Sequence, residues 1–366
     1  MKKIITFCAI LTVILAVTAV APAELLDAMQ AGGERLADLQ NNDGGWDWPL
    51  DDGNPANVSP TNTIAPTTMG LIQAYLATND ASMLTAINNA STAFLNKQQG
   101  NATSKGTFSA ADGYIAVALD QILGVNTHAN HVKTQFYDKL AAGTYVRLGQ
   151  QINTTDYVNL IRSGRTGSQA NMAAWDVGVG LFAANAIGAD TQAWLDGTEA
   201  EINELSGDQF GGYAYYDVIG LAGGLLGLAS VGENFDPTAG EHAAADSTAA
   251  LADILASYQI EGGGFAWTKN YVIPNDGDET VQETAYAMLA LSLFDSAAFA
   301  ANIAGAADYL VSVQLATGGW ETYTASGENN EITAEALWAL SVVPEPATIA
   351  LLSIGGLALL RKKKNA

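Results

Sequence analysis

The chain has 366 residues, 49% of them apolar, and a formal net charge of −23. Six of its 15 basic residues and one of its 38 acids lie in the two terminal segments, which leaves roughly −28 for the body. Such a surface repels nucleic acid and anionic lipid, and the single cysteine, Cys8, lies in the leader, so the mature chain has no disulfide, thiolate nucleophile or Cys-ligated zinc.

Residues 1–23 read as a secretion signal. Lys2 and Lys3 give the positive end, Ile4 to Val17 the apolar run, and Ala21-Pro22-Ala23 the small-residue cut site. The run is short for a membrane span.

The body, 24–343, alternates two kinds of segment. Stretches 25–39, 83–98, 131–147, 194–205, 243–258 and 299–313 are amphipathic and charged, with apolar residues at helical spacing. Stretches 67–76, 112–123, 173–187, 218–231, 283–294 and 333–342 are rich in Ala, Gly and Leu and apolar all round, which predicts helices buried on every face. Pairing each outer helix with the inner one that follows gives six hairpins. The third outer region, 128–162, is long and is expected to break at Gly143 or Gly149.

The corners repeat a phrase: Gln40, then Gly44-Gly45-Trp46; Gln259, then Gly263-Gly264-Phe265; Gln314, then Gly318-Gly319-Trp320. Phe108 and Tyr213 follow Gly-containing turns as well. The glutamine can tie off backbone groups at a helix end, the glycines permit positive φ in the reversal, and the ring is expected to pack over the exposed turn. An open stack of hairpins would need polar caps. Six hairpins closed into a ring need none, so the predicted fold is all-α, a single (α/α)6 toroid whose inner helices line a central cavity.

Residues 344–366 form a separate module. Pro344-Glu345-Pro346 breaks the last helix, 348–360 is a short apolar run, and Arg361-Lys362-Lys363-Lys364 follows. This order resembles the bacterial PEP-CTERM sorting signal. The resemblance implies transient membrane anchoring by the C-terminal helix, processing by an exosortase-type enzyme, and delivery to the cell surface or extracellular matrix.

The three corner phrases resemble the QW motif of triterpene cyclases. The phrases 282–291 and 332–340 are similar to inner helices of the terpenoid cyclase and protein prenyltransferase superfamily, whose shared fold is an α/α toroid. The chemistry of that superfamily does not carry over. Setting Thr284-Ala285 on the end of the cyclase Asp-x-Asp-Asp-Thr-Ala phrase puts Gln282 in the proton donor's place and Glu283 at the last acid. Prenyltransferase zinc needs a cysteine, and His128, His131 and His242 fall on outer helices or their approaches, so no zinc and no cofactor is expected.

The remaining candidates are acids and aromatics. Asp276, Asp278 and Glu279, before the inner helix at 283, read as a Ca²⁺ site or acid–base pair, or as acids complementing a helix N-terminus. Asp112, Asp176, Asp217, Glu283 and Glu335 lie on or at the start of inner helices, where a buried acid would have a raised pKa. Asp278, Glu283, Asp176, Asp217 and Glu335 are the candidate catalytic groups. Trp48 beside Asp47, Asp51 and Asp52 has the composition of a sugar site, and Tyr213, Tyr215, Tyr216 and Trp267 are candidates for the cavity's mouth. The expected function is an exported, non-cyclase toroid that binds an extracellular glycan or an apolar small molecule, or serves structurally. The alternative is an exported polysaccharide lyase or hydrolase, or a degenerate cyclase.

Overall fold

A helix with no polar side must be covered all round, and six of them achieve this by standing side by side. The computed structural model describes residues 23–50, 53–98, 111–147, 149–208, 211–271 and 278–343. Residues 1–22 of the expected leader (1–23), Asp51, Asp52, Phe108, Asp276 and residues 344–366, with Pro344, Glu345 and Pro346 of the expected sorting signal, lie outside the described residues.

The outer helices are α1 (Ala23–Asp38), α3 (Ala81–Gln98), α9 (Gln192–Glu204), α11 (Thr248–Ser257) and α13 (Ala300–Ser312). The inner ones are α2 (Ile64–Thr78), α4 (Asp112–Leu123), α8 (Met172–Ala186), α10 (Asp217–Val231), α12 (Val281–Asp295) and α14 (Asn330–Leu340). Contacts among the inner helices run α2, α4, α8, α10, α12, α14 and back to α2, so the ring is closed. In the outer layer the last helix meets the first, α13 against α1.

The third outer element is broken, as expected, but into more pieces. It comprises α5 (Thr127–Val132), a π-turn (Lys133–Tyr137), α6 (Asp138–Ala141), a hairpin of β1 (Tyr145–Arg147) and β2 (Gln150–Ile152), and α7 (Thr154–Gly164). Gly143 precedes the hairpin and Gly149 sits at its tip, with φ of 65° and 79°. Asn153 and Asp156 then start α7 with a reciprocal capping box. The predicted outer helix at 243–258 is shorter than expected, because Ser247 caps it and accepts from Ala250 N.

Small residues on the inner helices have a packing reason. A Cβ on Gly70 would collide with the Ala334 backbone, and one on Gly178 with Gly223 O. α2 and α14, and α8 and α10, therefore meet backbone to backbone.

The corner glutamines do more than finish their own helices. Gln40 Nε2 donates to Gly44 O (3.0 Å) and to Ala86 O on α3 (2.8 Å). Gln259 Nε2 donates to Gly263 O (2.6 Å) and to Asn302 O on α13 (2.8 Å). Gln314 Nε2 donates to Gly318 O (2.7 Å) and to Ala28 O on α1 (2.9 Å). Each is a clamp from one corner to the next outer helix. Gly44, Gly263 and Gly318 have φ of 86°, 92° and 93°. A Cβ at any of them would strike the backbone carbonyl of that next helix, at Asn89, Gly305 or Ala31.

The aromatic partners correct one expectation. Trp46, Phe265 and Trp320 do not lie over exposed turns; all three are wholly buried. Trp46 Nε1 donates to Leu36 O and Trp320 Nε1 to Leu310 O, each at 2.7 Å, which ties the corner to its own outer helix. Tyr213 is not a corner of this type. It follows Gly211 and Gly212 but is 39% exposed.

The centre of the ring is crossed by side chains rather than open. Trp338 of α14 lies 6.1 Å from Phe182 of α8, on the opposite side of the ring, and Tyr114 of α4 contacts both, at 5.0 and 5.4 Å between ring centroids. Nearer the N-terminal ends of the inner helices, Trp175 of α8 meets Tyr286 of α12 edge-on at 5.2 Å.

Candidate functional site

α8 and α10 are in parallel register, with Gly178 against Gly223, and so are α2 and α14, with Gly70 against Ala334. The starts of these helices and of α12 form one face of the ring, called the mouth here. α4 sits further along the axis, so that Tyr114 near its start meets Phe182 and Trp338 late in theirs. Asp112 is accordingly fully buried and set apart from the mouth acids.

Three glutamates converge at the mouth. Glu335 accepts from Gln282 Nε2 through both oxygens (3.2 and 2.9 Å) and from the Tyr286 hydroxyl. Burial, then the charges of Glu331 and Glu283, push it well above the usual carboxylate range. Glu283 is buried at the first turn of α12 and accepts from Thr280 Oγ1 at 2.5 Å; burial raises it also. Glu331 is raised by burial and accepts from Trp48 Nε1 at 3.1 Å. The Gln282 side chain is thus a donor that satisfies Glu335.

Trp48 is held on the mouth by more than that bond. Asn330 N donates to Pro49 O (2.7 Å), and Asn330 Nδ2 to Asp47 O (2.9 Å), so α14 grips the 47–49 loop through its first residue. The indole is nevertheless 56% exposed. Tyr323, 57% exposed, stands on the loop before α14.

The other candidates separate. Arg165 forks onto Asp176, Nε to Oδ2 at 2.6 Å and Nη2 to Oδ1 at 3.2 Å, so Asp176 is half of an ion pair. Asp217 opens α10, is 1% exposed, and has its carboxyl pushed up to about 7 by burial. Glu279 is buried, pairs through the β3–β4 ladder (Phe265–Ala266 with Glu279–Thr280), and packs against Gly262 and Gly264. Asp278 is partly buried beside it. Among the described residues no three His, Cys, Asp or Glu side chains are grouped to hold a metal ion.

A cleft of about 80 Å³, lined by Arg162, Arg165, Asn171, Glu201 and Glu204, lies on the outside of the ring. Arg162 already pairs there with Glu201 (2.5 Å) and Glu204 (2.9 Å).

Glu331 and the Lys269–Asp217 contact described below escape a reading of the sequence. Glu331 precedes Glu335 by four residues on an inner helix, and that spacing was the available signal.

No protein-family model matches the chain, and no curated protein matches it. Solved structures do. A protein from Actinoplanes is 18% identical with a TM-score of 0.51, over 87% of this chain and 99% of that one. The type II terpene cyclase MstE from Scytonema, without ligand, is 14% identical with a TM-score of 0.48, over 87% and 97%. The first likeness is one of fold across nearly the whole of that protein.

Proposed function

We propose that this chain is an exported cell-surface or matrix protein whose ring is a binding module for a neutral extracellular glycan, not a cyclase. The observation that carries the reading is Trp48. Its indole is more than half exposed at the mouth, and its N–H is fixed on Glu331. A flat apolar face held still beside hydrogen-bonding groups suits the face of a sugar ring. The strong negative charge argues against an anionic glycan.

Of the two ligand classes that the sequence left open, the apolar one loses support. It would need an empty bore, and Tyr114, Phe182, Trp338, Trp175 and Tyr286 meet across it. The enzymatic alternative also loses support. A glycoside hydrolase works with two carboxyls open to one substrate, whereas Glu283, Glu335 and Asp217 are buried. Export itself rests on the leader, 1–23, and on the resemblance of 344–366 to a sorting signal.

The test is binding of the mature protein to a panel of neutral and anionic polysaccharides, wild type against Trp48→Ala. Binding to a neutral glycan that the substitution weakens tenfold or more is expected. No glycan bound, or binding indifferent to Trp48, removes the proposal.

A further inference from the structure

Residues 267–270 form a short strap across the N-terminal end of α10. It is docked by five contacts. Lys269 N donates to Asp217 Oδ1 at 3.1 Å, and Ala214 N donates to Asn270 Oδ1 at 2.9 Å. The Trp267 ring lies 4.7 Å from Tyr215 and 6.0 Å from Tyr216. Lys269 Nζ pairs with Glu241 beyond the strap. Beneath it, Asp217 Oδ2 is buried without a hydrogen-bond partner among the described residues. A carboxyl in that position is tolerable when it carries a proton and costly when it does not.

We propose that the strap is a proton-controlled cover, closed while Asp217 is protonated and opened as Asp217 ionises, because water entering under 267–270 is what can solvate the bare oxygen. The backbone N–H groups of Lys269, Val218 and Asp217 itself and the Lys269 charge favour the ionised Asp217, and burial outweighs them. Lys269 stands on the strap itself, pairs its ammonium with Glu241, and lies near enough to Asp217 for the two charges to attract. Tyr258, at the end of α11, and Tyr216 have their ionisation pushed up and stay neutral. On the adjoining inner helices Asp176 is taken by Arg165, and Glu283 by Thr280.

The sign follows from burial. The closed form holds the Asp217 proton up to about pH 7, whereas an opened, hydrated aspartate releases it near pH 3.9. Between those limits closure weakens by about tenfold per pH unit, and above the upper one it weakens no further. Opening would bare the Trp267, Tyr215 and Tyr216 faces at the mouth. This device does not depend on the glycan reading.

Amide hydrogen exchange of the mature wild-type protein tests it, with protection at 267–270 corrected for intrinsic exchange. Protection at Lys269 is expected to fall about fiftyfold from pH 5 to pH 7 and then to level off, while Asp217→Asn stays protected throughout. Flat protection in the wild type, or the same fall in Asp217→Asn, overturns the proposal. Should Asp217→Asn not fold, the carbon-13 titration of the wild-type Asp217 carboxyl decides. A midpoint that coincides with the levelling supports the cover, and one below pH 5 overturns it.

Discussion

Gln314 donates one amide to two carbonyls, Gly318 O in its own corner and Ala28 O in the first helix, 286 positions away. That second bond fastens the last hairpin to the first. Gln40 and Gln259 make the same pair of bonds between hairpins that are neighbours in the chain. If the ring is closed in solution, the three clamps are equivalent. Gln314→Ala is then expected to cost as much as Gln259→Ala, about 1–3 kcal/mol for two lost bonds, measured by urea denaturation. A negligible cost at Gln314 alone would mean that the seam is open. Gly318→Ala should cost more than Gln314→Ala, because it forces a side chain into positive φ and against Ala31 O.

The corner aromatics separate ring from hydrogen bond. Trp320 is wholly buried and donates to Leu310 O, whereas Phe265 fills the equivalent corner with no such donor. Trp320→Phe should therefore cost about 1–2 kcal/mol, chiefly for the orphaned carbonyl and lost volume. Trp320→Ala should cost about 3–5 kcal/mol. Thermal and chemical denaturation of the two variants give the ratio.

The hairpins were legible because their chemistry is repetitive. Inner segments rich in Ala, Gly and Leu announce burial on every side, and α4 occupies 112–123 as read. The clamp phrase was legible as a repeat, but its purpose was not. Nothing in Gln40-Asn-Asn-Asp-Gly-Gly-Trp46 says that the amide reaches Ala86. The mouth was the least legible part. Trp48 and Glu331 are 283 positions apart and meet only because the ring closes. Lys269 reaches Asp217 through its backbone N–H, which no residue type encodes. The filled bore was invisible for a related reason, since aromatic residues on inner helices fit a lined cavity and a plugged one equally.

His242 should shape the acid side of the stability profile. It is buried, its Nε2 lacks a partner among the described residues, and burial pushes its pKa down to about 4. As pH falls from about 6.5 to 4 the unfolded chain takes up this proton first, so His242 on its own lowers stability, by up to about 3 kcal/mol, against the opposite slope of raised carboxyls such as Asp217. His242→Asn is expected to flatten that limb in denaturant titrations at pH 4.5, 5.5 and 6.5. An unchanged slope would place its cause elsewhere.

The opposite limb belongs to the buried carboxyls, Asp217 and Glu335 among them. The folded pKa of Glu335 is raised, so the unfolded chain loses the proton first as pH climbs through the usual carboxylate range, and the fold weakens until Glu335 itself ionises. Glu335→Gln keeps the shape and an acceptor for the Tyr286 hydroxyl, and removes the charge. It is expected to be more stable than the wild type at pH 8 and to differ least near pH 4, as read by denaturation midpoints at both values.

Processing offers a prediction independent of the fold. If 1–23 and 344–366 are removable, the mature protein begins at Glu24, after Ala21-Pro22-Ala23, and ends near Pro344-Glu345-Pro346. Intact-mass measurement of protein from the cell surface of a host with an exosortase-type enzyme should show both cuts. Substituting Glu345 should leave the first cut in place and abolish the second.

The bore can be opened deliberately. Trp338 is the largest side chain in the cross-ring cluster, touching Tyr114 of α4 and Phe182 of α8. Trp338→Ala is expected to cost about 3–5 kcal/mol, because rigid helices on all sides prevent collapse into the space. An apolar cavity that cannot collapse stays dry and accepts small apolar molecules. The variant should therefore bind a naphthalene-type dye that the wild type does not, with a stoichiometry near one and a rise in melting temperature on saturation. The wild type's refusal of the dye carries the weight here. If it binds the dye equally, the rings seen across the bore part readily in solution, and an apolar ligand inside the ring again competes with a glycan at the mouth.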